Sequence, residues 1–289
     1  MKITVLSENT SLDPRLEAEF GLSVWVECGD TRLLFDVGEG GAAMKNAETL
    51  GIDLSSCTAI AFSHNHRDHC GGFVPFAKQF RPTCPVYVHH GFFRDKWWDH
   101  REDDPSRPTH QQALELVGPA MTSDFFFRNG CTGFRALADK TVEIGKNVFL
   151  LGRFPIARGW ERVHVSQKMD GFCGHLTRDT FRDEQVCVVQ GKSGLTVLTG
   201  CAHNGIVNIL STVRRRFPGE KIAAVIGGTH LLPPSEKRLK KTVDYFLKKP
   251  VSCACVCHCT GPDGLAAFQG FVPSYRPTGA GFVYEDEDA

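Results

Sequence analysis

Short apolar runs alternate with loops rich in glycine and charge along this chain, and most of the runs are too short to be helices. Residues 3–7 read as a strand. Residues 22–27 and 31–36 read as a hairpin closed by Gly29-Asp30, a two-residue turn signal. Further strands are expected at 59–62, 85–89, 147–151, 185–190, 195–199, 223–227 and 251–257. Helical spacing marks 72–80, 205–217 and 235–248, and a short helix stopped by Gly51 is expected within 39–50. Strands, then a helix, then strands again predict an α/β domain, and periodicity alone goes no further.

The 289 residues suffice for one large domain or two small ones. With no linker, low-complexity tract or repeat, a single domain over 1–289 is expected. Residues 91–133 break the pattern. Phe92-Phe93, Trp97-Trp98 and Phe125-Phe126-Phe127, mixed with charges, read as an insertion. It forms either a lid over a site or an excursion packed on the core or on a second subunit.

Lysine plus arginine equals aspartate plus glutamate at 33 each, so nucleic-acid binding is not expected. Arg214-Arg215-Arg216 falls at the end of a predicted helix, where cations complement the dipole. No apolar run is long enough to span a membrane. The first residues enter a strand directly, without the apolar region of a signal peptide. A cytoplasmic protein with a small-molecule substrate and no membrane partner is therefore expected, its oligomeric state open. Its twelve cysteines then read as reduced thiols or metal ligands.

The densest chemistry lies in Ser63-His64-Asn65-His66-Arg67-Asp68-His69-Cys70-Gly71-Gly72. Residues two apart in an extended segment point to one side, so His64 and His66 can reach one metal together. Asp68 and His69 follow where the backbone must turn, and can face a second ion. Imidazole with carboxylate suits zinc, iron or manganese better than calcium or magnesium. His203 and His258 each follow an apolar strand in a glycine-containing loop, and are the further ligand candidates. His175 is the alternative to His203.

His64-x-His66-x-Asp68-His69, after an apolar strand and before Gly71-Gly72, resembles the signature of the metallo-β-lactamase superfamily. Asp36-Val37-Gly38, the run from Thr199 to Asn208, Gly227-Gly228-Thr229-His230-Leu231 and His258-Cys259-Thr260-Gly261 extend the likeness over the whole chain. Together they are similar to the branch around the dihydropterin/ribofuranosylaminobenzene 5'-phosphate synthases, many of whose members are known only as metal-dependent hydrolases.

The resemblance implies a four-layer αββα sandwich with its metal loops at one edge. It implies two divalent ions, zinc first, with manganese or iron as alternatives. His64, His66 and His203 would hold one ion, and Asp68, His69 and His258 the other. Many members carry Thr-Gly-Asp where this chain has Thr199-Gly200-Cys201. Cys201 is then either a thiolate ligand or a spectator. Asp36 is expected to orient a ligand imidazole. His230 is expected to contact substrate or pass a proton, and with Asp68 is a catalytic candidate. Arg158, in a segment loosely similar to the family's Pro-Arg segment, is expected to bind a phosphate through its planar fork.

The chemistry implied is hydrolysis of a phosphoester, or of a lactone or amide, by a metal-bound hydroxide. A transferase joining a pterin-methyl diphosphate to an aryl ribose phosphate is the second reading. A non-hydrolytic iron-binding or sensor protein is the third. No nucleophile elbow or Walker loop competes. In Cys253-Ala254-Cys255-Val256-Cys257-His258-Cys259, alternation puts the four cysteines on one strand face and His258 on the other. A straight strand spaces thiols too linearly to wrap an iron–sulfur cluster, so packed small residues are expected there.

Overall fold

Strands that are apolar on both faces must be covered on both faces, and two sheets with helices outside them satisfy that demand here. The computed structural model describes residues 1–287 except 105, 107–112, 120, 123, 132, 139, 162–163, 165, 172–174 and 233–234. From edge to edge, its seven-stranded sheet runs Val283–Glu285, Lys2–Ser7, Ser23–Cys28, Thr31–Phe35, Ala59–Ala61, Val86–His89 and Phe134–Leu137. The six-stranded sheet runs Cys253–Cys257, Ile222–Gly228, Gly194–Thr199, Gln185–Gly191, Val148–Gly152 and Thr141–Gly145.

Ile3, Val24, Leu33 and Phe35 of the first sheet meet Leu150, Val189, Leu198 and Ile226 of the second in a core between the two. On its outer face the first sheet lays Trp25, Leu34 and Ile60 against the helices Ala42–Thr49 and Phe73–Phe80. Val186, Val197 and Val225 do the same for the second sheet, under Ile206–Arg216, Glu236–Lys248 and Gly261–Phe271. The fold is the α/β sandwich of four layers, αββα. Cutting back one fully buried core ring such as Phe35 to alanine costs about 3–5 kcal/mol.

Strand direction gathers the chemistry. Thr31–Phe35, Ala59–Ala61 and Val86–His89 are mutually parallel, as are Gly194–Thr199, Ile222–Gly228 and Cys253–Cys257. Parallel strands end together, and loops beyond such ends are where α/β folds place sites. Asp36, the 63–69 loop, the 200–205 loop, His230 and His258 all follow these ends. The predicted hairpin pairs Cys28 with Thr31 across Gly29-Asp30, with Gly29 at φ 54°.

Some elements differ from the sequence reading. A small third sheet joins Leu176–Arg178, Gln167–Asp170, Lys96–Asp99 and Leu114–Leu116. Its strands are short and charged, so no alternation marked them. Within 91–133, Phe92 and Phe126 are buried under the first sheet beside Phe73, while Trp97 and Trp98 lie in the small sheet. Residues 107–112 of that segment lie outside the described residues. Cys259 falls beyond its strand in the turn His258–Thr260, so only Cys253, Cys255 and Cys257 share the strand face. Among the described residues no helix is long and apolar enough to cross a membrane.

Candidate metal centre

Asp36 organises the histidine loop. At φ 57° its carboxylate turns back and accepts from the Ser63 backbone N–H and from Ser63 Oγ, both at 2.7 Å. Its Oδ2 also lies 2.8 Å from His69 Nδ1. That bond fixes the His69 ring so that Nε2 faces inward. Ser63 Oγ meets His64 Nδ1 at 2.9 Å, which turns His64 Nε2 inward as well, to 3.2 Å from His203 Nε2. The chain then enters the short helix Arg67–Cys70, which carries Asp68 and His69. Asp68 Oδ2 lies 3.0 Å from His258 Nε2 and 3.4 Å from His69 Nε2.

Two overlapping donor groups result. Asp68, His69, Cys201 and His258 form one; His64, Cys201 and His203 form the other. Within each, the donor atoms lie within 4.8 Å of one another. Cys201 Sγ belongs to both and sits 3.1 Å from His69 Nε2. The His66 ring lies 4.5 Å from that of His64 and 4.9 Å from that of His203, centre to centre. Its Nε2 is buried with no hydrogen-bond partner among the described residues.

A buried ring nitrogen left alone costs about 1–3 kcal/mol. A cation accepted by its lone pair removes that cost. Burial and the neighbouring rings hold His64 and His203 well below the usual imidazole range, and burial does the same to His66. Neutral imidazoles are the form that ligates. Burial opposes ionisation of Asp68, but His69 and His258 outweigh it and hold the carboxyl well below its usual range. Burial pushes the Cys201 thiol well up, so an ion taking that sulfur must displace its proton. Nitrogen, oxygen and sulfur donors converging in this way fit a divalent transition metal.

Carboxylates distant in sequence clamp the ligand loops. Glu184 accepts from the backbone N–H of His203 at 2.5 Å and of Asn204 at 2.7 Å. Glu8 accepts from the His258 N–H at 2.7 Å, while Asn9 Oδ1 meets His258 Nδ1 at 3.0 Å. Phe181 stacks on His203 with ring centres 3.8 Å apart, and Lys96 Nζ lies 4.3 Å from the Phe181 ring centre. Lys96 is held by Asp179 at 2.7 Å and Asp183 at 2.6 Å, and Asp183 also accepts from the Asn65 N–H. None of Glu8, Glu184 and Lys96 sits in a motif, so the sequence carried no signal for them.

Residues 16–165, more than half of the chain, match the family model described as the metallo-beta-lactamase superfamily. The chain belongs to the metallo-beta-lactamase superfamily. It is similar to the 7,8-dihydropterin-6-methyl-4-(beta-D-ribofuranosyl)-aminobenzene-5'-phosphate synthase of Methanocaldococcus jannaschii, at 26% identity over 275 residues, covering 90% of this chain and 88% of the relative. Among solved structures, Tm1679, a metal-dependent hydrolase of the beta-lactamase superfamily, is 31% identical with a TM-score of 0.83, over 100% of both chains. A diphosphatase from the PhnP family shares the fold at 11% identity and a TM-score of 0.57, covering 100% of this chain and 98% of its own.

In this superfamily member His230 lies beside the donor groups, its ring centre 4.2 Å from that of His203. Burial, with Arg238 nearby, holds it down to about 3, so it is a neutral ring. Arg238, in the first turn of Glu236–Lys248, was not anticipated. Its Nε and Nη2 are buried without hydrogen-bond partners. Arg158 is half-buried and reaches Asn208 Oδ1 at 3.3 Å. It belongs to neither donor group, and the alternative ligand His175 is exposed and belongs to neither.

Proposed function

We propose that this protein is a hydrolase that holds two divalent ions, zinc first and manganese or iron as alternatives, and cleaves a phosphoester in a small-molecule substrate. The observation that carries the reading is the buried, unpartnered Nε2 of His66 beside two donor groups that meet at Cys201. His64, His66 and His203 would hold one ion. Asp68, His69 and His258 would hold the other, with Cys201 within reach of both. When bound, such a pair acidifies a water and polarises a phosphoryl oxygen.

The chain's own residues supply the rest. Asp36 lies against His69 Nδ1, and an ion taken at Nε2 would displace the proton that the two aspartates hold on this ring. Asp68 and Asn9 hold the His258 ring between them. His230 would contact the substrate or pass a proton. Arg238 offers unpaired N–H groups of a planar fork, which suit a phosphoryl oxygen. Arg158 remains a phosphate contact at the rim. Arg67 N–H donates to Val117 O at 2.8 Å, and Asn65 Nδ2 meets Arg94 O and Pro119 O at 3.4 Å each. We read the described residues of 91–133 accordingly as a wall of the site within one domain.

The likeness to the dihydropterin synthase supports a second reading, transfer of a pterin-methyl group to an aryl ribose phosphate with release of pyrophosphate. The deciding experiment is metal analysis by inductively coupled plasma mass spectrometry, with hydrolysis of bis-p-nitrophenyl phosphate by the same sample. About two ions per chain with turnover support the hydrolase. Two ions without turnover, and pyrophosphate released only with both pterin and aryl substrates, support the transferase. Absence of metal after reconstitution overturns both.

A further inference from the structure

A cleft of about 340 Å³ is lined in part by Asn204 of the His203 loop and by Phe181, which stacks on His203. Its polar lining comes from three separate chain segments. His89 and His90 end the strand Val86–His89, Arg153 follows Val148–Gly152, and Arg182 precedes Gln185–Gly191. Among the described residues none that lines it is acidic. Among the described residues neither arginine side chain has a carboxylate partner, and both are exposed.

His89 is the telling residue. It is 1% exposed, and among the described residues both of its buried ring nitrogens lack a hydrogen-bond partner. Such a group in a native structure calls for an explanation. Gly152 makes room for it, since a Cβ there would lie 2.8 Å from His89 Cδ2. The His90 ring packs on it at 4.2 Å. Burial above all, with His90 and Arg153, holds His89 down to about 4, so its ring is neutral and carries one N–H. Asp183, the acid that acts against this, is engaged by Lys96 and the Asn65 N–H.

We propose that this cleft is an anion site, distinct from the metal centre, that takes a phosphate group between Arg153, Arg182 and one N–H of His89. Donors from three chain segments suit a tetrahedral oxyanion, and a guanidinium fork matches two of its oxygens at once. Phe154, Pro155 and Phe181 line the same cleft and can pack the carbon that bears the phosphate. The site needs neither metal nor turnover, so it stands or falls separately from the proposed reaction. The phosphate is either free inorganic phosphate or one carried by the substrate and not broken.

Calorimetric titration of the metal-loaded protein with inorganic phosphate and with phenyl phosphate tests this. The Arg153→Gln/Arg182→Gln variant should bind both at least about tenfold more weakly than wild type. Its metal content and its turnover of bis-p-nitrophenyl phosphate should not change. A Lys78→Gln/Lys146→Gln control removes the same charge elsewhere and should bind as wild type does. Unchanged affinity in the arginine variant, or equal weakening in the control, overturns the proposal. A rise of about tenfold in KM at constant kcat, for a substrate bearing a second phosphate, identifies a substrate-borne group. Weaker binding of inorganic phosphate with KM unmoved identifies free phosphate.

Discussion

The two donor groups share Cys201 but are built on opposite principles. In the group of Asp68, His69, Cys201 and His258, each imidazole nitrogen already has a partner. His69 lies between Asp36 and Cys201, and His258 between Asn9 and Asp68. Asp68 and Asp36 outweigh burial and hold His69 well above the usual imidazole range. The group of His64 and His203, with His66 beside it, has no carboxylate of its own. Two of its Nε2 atoms face each other at 3.2 Å, and the third has no partner. Carboxylates can make a histidine cluster self-sufficient as protein structure. A cluster of neutral imidazoles has lone pairs turned inward and, among the described residues, nothing to receive them all. The second arrangement is therefore the stronger argument for a cation, although the first has more kinds of ligand.

The largest expected effect breaks this contrast at its weaker-held side. His66→Ala should lose mainly the ion of the group of His64 and His203 and cut turnover by about a thousandfold or more. Asp68→Ala should lose mainly the other ion, since it removes the acid that anchors both His69 and His258. Metal content of the two variants, measured side by side, reads the assignment directly. If both keep full metal and full activity, the assignment is wrong.

Cys201 sharpens the contrast, because it is the atom common to both groups. If its sulfur ligates, Cys201→Ala should weaken the second ion by about 10–100-fold, and Cys201→Asp should recover most of that loss. Equal metal affinity in wild type and both variants would make the thiol a spectator. Asp36→Asn comes next, with an effect of about tenfold on the affinity of the His69 group. Asparagine can still accept from the Ser63 N–H, but no longer supplies the charge that fixes the His69 proton. Chelator competition measures both effects.

The histidine loop was legible in the sequence because a period-two strand hands over to a turn within six residues. The remaining ligand candidates were legible as single histidines after apolar strands. What supports them was not. Glu8, Glu184 and Arg238 stand alone in the sequence, and acquire meaning only when parallel strands end at one edge and bring distant loops together. The third sheet was missed for a related reason, since strands such as Lys96–Asp99 carry charges that the fold buries in pairs. The cysteine face was misjudged at Cys259 because strand alternation stops where the chain turns to aim His258. That turn puts Cys259 Sγ 3.4 Å from the Cys201 carbonyl oxygen instead of between the sheets.

The smallest expected effect asks whether the fold beneath the donor groups titrates on its own. Glu161 is fully buried and accepts from the backbone N–H groups of Val207 and Asn208, both at 2.8 Å, capping the helix behind the His203 loop. Burial pushes its carboxyl up to about 7, against the pull of those two bonds. An acid whose affinity for protons is higher folded than unfolded, where it titrates near about 4.3, favours the fold when protonated. That contribution is complete below the unfolded value and is lost as pH rises through about 7. Relative to Glu161→Gln, the wild type should therefore lose stability in urea between about pH 5 and pH 8, by no more than about 3 kcal/mol. The substitution should leave metal content unchanged, because Glu161 touches neither donor group. The same pH dependence in both proteins would move the titration to Glu184, which burial also raises to about 7. Glu184 holds the His203 backbone, so the group of His64 and His203 and the stability of the fold would then respond to the same proton.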